Sequence, residues 1–153
     1  MGIAVSDSKG SMATPLTTLY RADPKKAGAR KAGGAQRVGG QPGVAPDALY
    51  MEILDIAVEY EAGWVVVGLP VNMDGSEGPA ALSARSEAAE LAALGEHYGI
   101  RVELMDERLT SSHSERSLSS LGLDGKRSRR VVDQVAASVL LQSWLDAQRI
   151  GDP

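Results

Sequence analysis

The sequence predicts an α/β fold built on a mainly parallel sheet, and three observations carry that expectation. Short apolar runs of strand length alternate with longer stretches of helical period. One of those runs, Trp64-Val65-Val66-Val67-Gly68-Leu69, is apolar throughout, as in a central parallel strand covered on both faces. A turn sequence near the start, Asp7-Ser8-Lys9-Gly10, joins two short strand-like runs and adds an antiparallel hairpin.

In chain order, the first two strands are expected over Gly2 to Ser6 and Ala13 to Tyr20. Asp23 to Pro46 has few large apolar groups and many glycines, so it reads as a long Gly-rich basic loop. Asp47 is a suitable N-cap for a helix running to about Ala62, with Leu49, Ile53, Ile56, Ala57 and Tyr60 as its apolar stripe and Gly63 as its stop. After the Trp64–Leu69 strand and a loop over Pro70 to Gly78, a helix starts at Pro79, carries Ala81, Ala84, Ala88, Leu91, Gly95 and Tyr98 at spacings of three and four, and stops at Gly99. A strand then runs into Asp106-Glu107. Ser112 and Glu115 have capping-box spacing for a short helix ending near Gly122, and Ser128 caps a last helix to about Arg149.

At 153 residues the chain suits a single domain, over residues 1–150, and its 43% apolar content is enough for one core. With no Phe, two Trp and four Tyr, that core has to be aliphatic. No run approaches the roughly 20 apolar residues that span a bilayer, and the start lacks a signal-peptide layout. The absence of cysteine excludes disulfides and Cys-ligated metal sites. A cytoplasmic protein without a membrane partner is the expectation. The net charge of −4 argues against indiscriminate nucleic-acid binding. Positive charge is nevertheless clustered, at Arg21, Lys25, Lys26, Arg30, Lys31 and Arg37 and again at Lys126, Arg127, Arg129 and Arg130, as in a localised phosphate-binding footprint. Solvated loops explain both clusters equally well.

Candidate chemistry gathers at the ends of the strands. Asp106 and Glu107 follow an apolar run directly, which places two carboxylates at the carboxyl rim of the sheet, where open α/β proteins bind ligands. Adjacent carboxylates repel, so a cation is expected to compensate them, either Arg108 or a divalent metal. In the last helix, Val131, Val132, Val135, Ala136, Val139, Leu140 and Trp144 form an apolar arc, and Asp133 projects inside it. A carboxylate facing a core is costly unless paired, hydrogen-bonded or metal-bound. Asp133 could merely complete the helix cap, or Glu107 and Asp133 could converge at the carboxyl edge of the sheet, where hard oxygens suit Mg²⁺ or Mn²⁺ bound together with substrate phosphates. Asn72, Asp74 and Gly75 form a turn after the central strand that could touch phosphate, or could be no more than a turn. His97 and His113 fit neither a zinc pattern nor a triad and read as surface residues.

Three motifs also resemble a known family in order and spacing. Val65-Val66-Val67-Gly68-Leu69-Pro70-Val71-Asn72-Met73-Asp74-Gly75-Ser76-Glu77, Asp106-Glu107-Arg108-Leu109-Thr110, and Val132-Asp133-Gln134-Val135-Ala136-Ala137 followed by Leu140-Leu141-Gln142-Ser143-Trp144-Leu145 resemble the motifs of the YqgF-type pre-16S rRNA nucleases. The likeness covers nearly the whole chain apart from Asp23 to Pro46. It implies a ribonuclease H-like, three-layer fold with a mixed sheet and flanking helices, related to Holliday-junction resolvases. It also implies metal-dependent cleavage at the 5′ end of pre-16S rRNA in ribosome biogenesis, with Mg²⁺ or Mn²⁺ held by Glu107 and Asp133 and supported by Asp106 and Arg108. One feature of the family has no counterpart here, a first strand ending Asp-x-Gly that supplies a further metal-binding Asp. Met1 falls where that strand's connection ends, so Met1 is expected to be internal to a longer reading frame. Without that strand, two apolar strand edges would stand unpaired in mid-sheet. Alternative readings are a resolvase acting on branched DNA, a catalytically inactive nucleic-acid-binding factor, and a scaffold whose acids are structural.

Overall fold

The computed structural model describes residues 1–20, 48–110 and 126–151. Strand β1 (Gly2–Ser6) pairs antiparallel with β2 (Ala13–Thr18), from Gly2 opposite Thr18 to Ser6 opposite Ala13. Their register slips between Ile3 and Ala4, close to Pro15, which has no N–H to give to a ladder. The expected hairpin turn is closed by its own residues. The Gly10 N–H donates to the Asp7 carbonyl at 3.0 Å, and Gly10 adopts φ of +62°. The Asp7 carboxylate accepts from the Ser11 N–H at 2.6 Å and from the Ser11 hydroxyl. Regular β2 ends two residues before the expected Tyr20, although Leu19 and Met1 still exchange hydrogen bonds at 2.9 and 2.8 Å.

Helix α1 (Ala48–Glu59) buries Leu49, Tyr50, Ile53, Leu54 and Ala57. The buried stripe is therefore rotated from the expected one: Ile56 is half-buried and Tyr60 exposed. The stop differs as well. Glu61, not Gly63, takes the left-handed conformation at φ of +53°, while Ala62 N–H bonds the Ala57 carbonyl at 2.8 Å and Glu61 N–H that of Val58 at 3.1 Å. This pair of bonds is the Schellman closure, which glycine usually serves. The Asp47 cap, the 23–46 loop and the helix expected over 112–122 lie outside the described residues.

Strand β3 (Trp64–Leu69) has the expected bounds and pairs parallel with β4 (Arg101–Asp106), Trp64 opposite Arg101 and Leu69 opposite Asp106. Between them, α2 (Pro79–Gly95) starts on Pro79, passes into a 3-10 turn (Glu96–Tyr98), and stops at Gly99 with φ of +70°. The last helix, α3 (Lys126–Ile150), begins two residues before Ser128, so Ser128 lies within it and does not cap it. Lys126 and Arg127 are good helix formers and continue the helix toward its N-terminus.

Three layers result. The core unites Leu49, Tyr50, Ile53, Leu54 and Ala57 of α1 with Leu91 of α2 and Ile100, and Ile3, Leu19, Val65, Val67 and Val102 of the strands pack against it. Successive strand side chains point to opposite faces. Accordingly Trp64, out of phase with Val65 and Val67, meets Trp144 of α3 at a centroid distance of 5.7 Å. α3 packs along β1 and β2 and reaches β3 on that face. The described strands form two separate two-stranded sheets, β1-β2 and β3-β4. β3 is thus not flanked by hydrogen-bonded strands on both sides, as a central strand would be. A cleft of about 1040 Å³ separates β3 from β1, walled by residues of both strands and of α1, α2 and α3. The buried indole N–H of Trp144 has no acceptor there among the described residues. None of the described helices is long and apolar enough to cross a membrane.

Candidate functional site

The parallel pair ends at Leu69 and Asp106, and the chain turns at once into a 3-10 turn over Glu107–Leu109. Asp106 makes that turn. Its Oδ1 accepts the Arg108 N–H at 2.9 Å, and its two oxygens accept from Arg108 Nε, at 2.9 Å for Oδ2, and from Nη2 at 2.7 Å. The bidentate fork holds the Asp106 carboxyl below the ordinary aspartate range and raises the Arg108 guanidinium. Arg108 therefore compensates Asp106 and not Glu107. The Glu107 carboxyl is pushed upward, first by burial and second by the negative charge of Asp106. The adjacent acids face opposite electrostatic settings.

Glu107 and Asp133 both line the cleft between the half-sheets, together with Gly2, Gly68 and Thr110. The run of α3 orients this end of the cleft. Asp133 lies against Gly2 at the start of β1, whereas Gln142 donates to the Ser11 carbonyl and accepts from Ala13 N–H at the hairpin end. β1 and α3 thus run alongside one another in the same sense. Trp144 meets Trp64 at the start of β3, so β3 runs the opposite way and Gly68 falls toward the Asp133 end. The expected position of Asp133 is corrected in one respect: it is exposed to the cleft, not sunk in a core. Among the described residues no cation pairs with Glu107 or Asp133.

The loop after β3 is closed on itself. Asn72 N–H donates to the Ser76 carbonyl and Gly75 N–H to the Asn72 carbonyl, both at 2.9 Å, with Gly75 at φ of +88°. Asn72 Nδ2 donates to Ser76 Oγ at 3.0 Å, and Asp74 Oδ1 accepts from the Ser76 N–H at 2.9 Å and its hydroxyl at 2.6 Å. The side chains of Asn72 and Asp74 are thus engaged in building the turn. Gly75 faces Arg108: a Cβ placed on it would sit 3.7 Å from Arg108 Nη1. In the basic segment Arg129 and Arg130 are exposed, and Arg130 stacks over the Tyr20 ring at 5.3 Å. Lys126 and Arg127 open α3, and their side chains lie outside the described set. His97 is exposed, and His113 is not among the described residues.

Sequence reasoning passed over two glycines. A Cβ on Gly68 would overlap Glu107 Oε1 and come within 3.1 Å of both Glu107 Cδ and Cγ. A Cβ on Gly2 would strike the Asp133 carbonyl and lie 2.7 Å from Gln134 N. For Gly68 the available signal was a glycine after three valines inside a strand, which marks a close approach; Gly2, at the start of β1, carried no such signal.

Acids at the carboxyl end of a parallel pair in a three-layer α/β frame fit a ribonuclease H-like hydrolase of phosphodiester bonds, the class that the family match assigns. The chain belongs to the family described as RuvX, Holliday junction resolvase, which matches residues 41–147. It is 40% identical over 152 residues to the "Putative pre-16S rRNA nuclease" of Myxococcus xanthus, covering 99% of this chain and 84% of that protein. A protein of the same name from Kineococcus radiotolerans is 39% identical over 151 residues, 99% of this chain and 68% of its own length. A third, from Anaeromyxobacter sp. strain K, is 49% identical over 94 residues, 61% of this chain and 66% of its own.

Proposed function

We propose that the chain is a divalent-metal-dependent nuclease that processes the 5′ end of pre-16S rRNA in the cytoplasm. The observation that carries this reading is the pair Glu107 and Asp133, two acidic residues that line one cleft and have no cationic partner among the described residues. Both residues are exposed, so their carboxylates are open to a cation from solution. Hard carboxylate oxygens fit Mg²⁺ or Mn²⁺, and Mg²⁺ is commonly held by one or two carboxylates with water and substrate phosphates completing the shell. Among the described residues no group of three or more acids and histidines could hold a metal ion; an ion on Glu107 and Asp133 would complete its shell with water and substrate phosphates. When bound, the ion supplies Lewis-acid stabilisation of charge on the phosphoryl group.

The remaining tasks fall to the chain's own residues. Glu107 and Asp133 would hold the ion. Asp106 fixes Arg108 against the Asn72–Ser76 turn, where its guanidinium can meet a phosphate oxygen. Asn72, Asp74 and Gly75 shape that wall, and Lys126, Arg127, Arg129 and Arg130 bind the polyanion along its backbone, with an affinity that falls steeply with salt. RNA as substrate is supported by the names of the relatives. The family description makes a four-way DNA junction the alternative substrate.

The test is cleavage of a 5′-extended 16S precursor transcript beside a four-way DNA junction, with Mg²⁺ or Mn²⁺ and with chelator. Metal-dependent cleavage of the transcript, lost in Asp133→Asn, is expected. Cleavage of the junction alone would favour the resolvase reading. Salt-sensitive RNA binding without turnover would replace both with a nucleic-acid-binding factor.

A further inference from the structure

The geometry points to Gly68 as a positioning residue for Glu107: the bare backbone of β3 at this point is the recess into which the Glu107 carboxylate folds. This inference rests on the reading of Glu107 as a metal-binding acid and extends it to a residue that touches neither metal nor substrate. The two residues meet across neighbouring parallel strands. Leu69 pairs with Asp106 at the end of the ladder, so Glu107 is the first residue beyond it and leans back over β3. A Cβ at position 68 would overlap Glu107 Oε1 and sit 3.1 Å from Cγ and from Cδ. Three consecutive atoms of the acid thus lie on the face of the glycine. A flexible side chain can swing away from an added methyl, and because Cγ, Cδ and Oε1 are all in contact, relieving the overlap displaces the carboxylate from its present position.

Backbone conformation does not call for glycine here, because Gly68 is not among the positive-φ residues. Strand interiors favour β-branched residues, and the three preceding positions are all valine. A glycine in such a run loses packing and conformational entropy. The recess explains what offsets that loss. On the other wall of the cleft, Gly2 also admits a close approach: its lack of a side chain lets β1 approach the Asp133 carbonyl of α3. The two contacts differ in kind: Gly68 receives the side chain of Glu107, whereas Gly2 receives the backbone of α3 at Asp133 and Gln134.

The experiment is a double-mutant cycle on Mn²⁺ affinity, measured by electron paramagnetic resonance with the full chain, alongside thermal unfolding. Gly68→Ala is expected to weaken Mn²⁺ binding at least tenfold while the chain remains folded. In a Glu107→Ala background the same change is expected to leave affinity unaltered, because the group it displaces is gone. An unchanged affinity in Gly68→Ala, or an equal loss in both backgrounds, would overturn the proposal. If the wild-type chain binds no Mn²⁺, the metal reading itself fails, and a crystal structure of Gly68→Ala decides the positioning claim. A carboxylate displaced from the recess supports it, and one unmoved refutes it.

Discussion

The two sides of the strand rim solve the same electrostatic problem in opposite ways. On the outer side, Asp106, Arg108 and the Asn72–Ser76 turn satisfy one another: a bidentate ion pair, a capped turn, and side chains bonded within the loop. On the cleft side, a single residue further along, Glu107 packs over a bare glycine with no cation among the described residues, and burial and Asp106 both oppose its charge. The difference separates support from chemistry. The bonds on the outer side hold Arg108 in place beside the turn, whereas the cleft side leaves a carboxylate with no cation among the described residues, which is what the proposed metal site requires.

The comparison can be broken most forcefully at the cleft. Asp133→Asn or Glu107→Gln is expected to lower metal-dependent cleavage by more than about 100-fold, beyond the usual loss for groups one shell from a metal. Initial rates at saturating Mg²⁺ measure this. Arg108→Ala, on the satisfied side, is expected to cost less, roughly 10-fold, and to raise KM more than it lowers kcat, because it removes a phosphate contact and not a metal ligand. A loss as large as that of Asp133→Asn would erase the distinction between the two sides.

Stability should sharpen the contrast. Glu107 has a carboxyl raised in the folded state, so folding favours its protonated form. Its stabilising contribution is present below the unfolded value, about 4.3, and is lost as pH rises through the higher folded value. Glu107→Gln is accordingly expected to melt above wild type at neutral pH without metal, with the gap closing in acid. Asp106, whose carboxyl is lowered, behaves oppositely: it stabilises above the ordinary aspartate value and the benefit disappears as pH falls through the lower one. Asp106→Asn should thus melt slightly below wild type near neutrality and match it in strong acid. Melting curves across pH read both signs. Away from the rim, Leu54, 1% exposed in the core of α1, provides a reference. Leu54→Ala is expected to cost about 2–5 kcal/mol in denaturant unfolding with no change in Mn²⁺ affinity of the folded protein.

Much of this was legible in the chain, for reasons that lie in particular residues. The bounds of β1 and β3 followed from short apolar runs ended by Asp7 and Pro70, and the stop of α2 from Gly99, whose left-handed backbone glycine adopts freely. The end of α1 did not, because Glu61 accepts the positive φ that residue type alone would assign to Gly63. The stripe of α1 was rotated because Tyr50 and Leu54 belong to the core that residues of both half-sheets pack against, a tertiary demand that periodicity does not contain. At the site, the residue types were readable and their pairings were not. Asp106-Glu107-Arg108 permits the arginine to take either acid, and the 3-10 turn decides for Asp106. The interruption of the sheet was expected from the motif order, and β1 and β3 indeed do not pair. The recess at Gly68 emerges only when the strands are aligned, since Gly68 and Glu107 lie 39 positions apart.

The central claim is that Glu107 and Asp133 act as one unit across the cleft. A double-mutant cycle on metal-dependent cleavage tests it most directly, comparing Glu107→Gln, Asp133→Asn and the double variant under identical metal and salt. The double variant is expected to be no slower than the worse single one, because either change already dismantles the shared site. Losses that multiply would show two independent groups and contradict it.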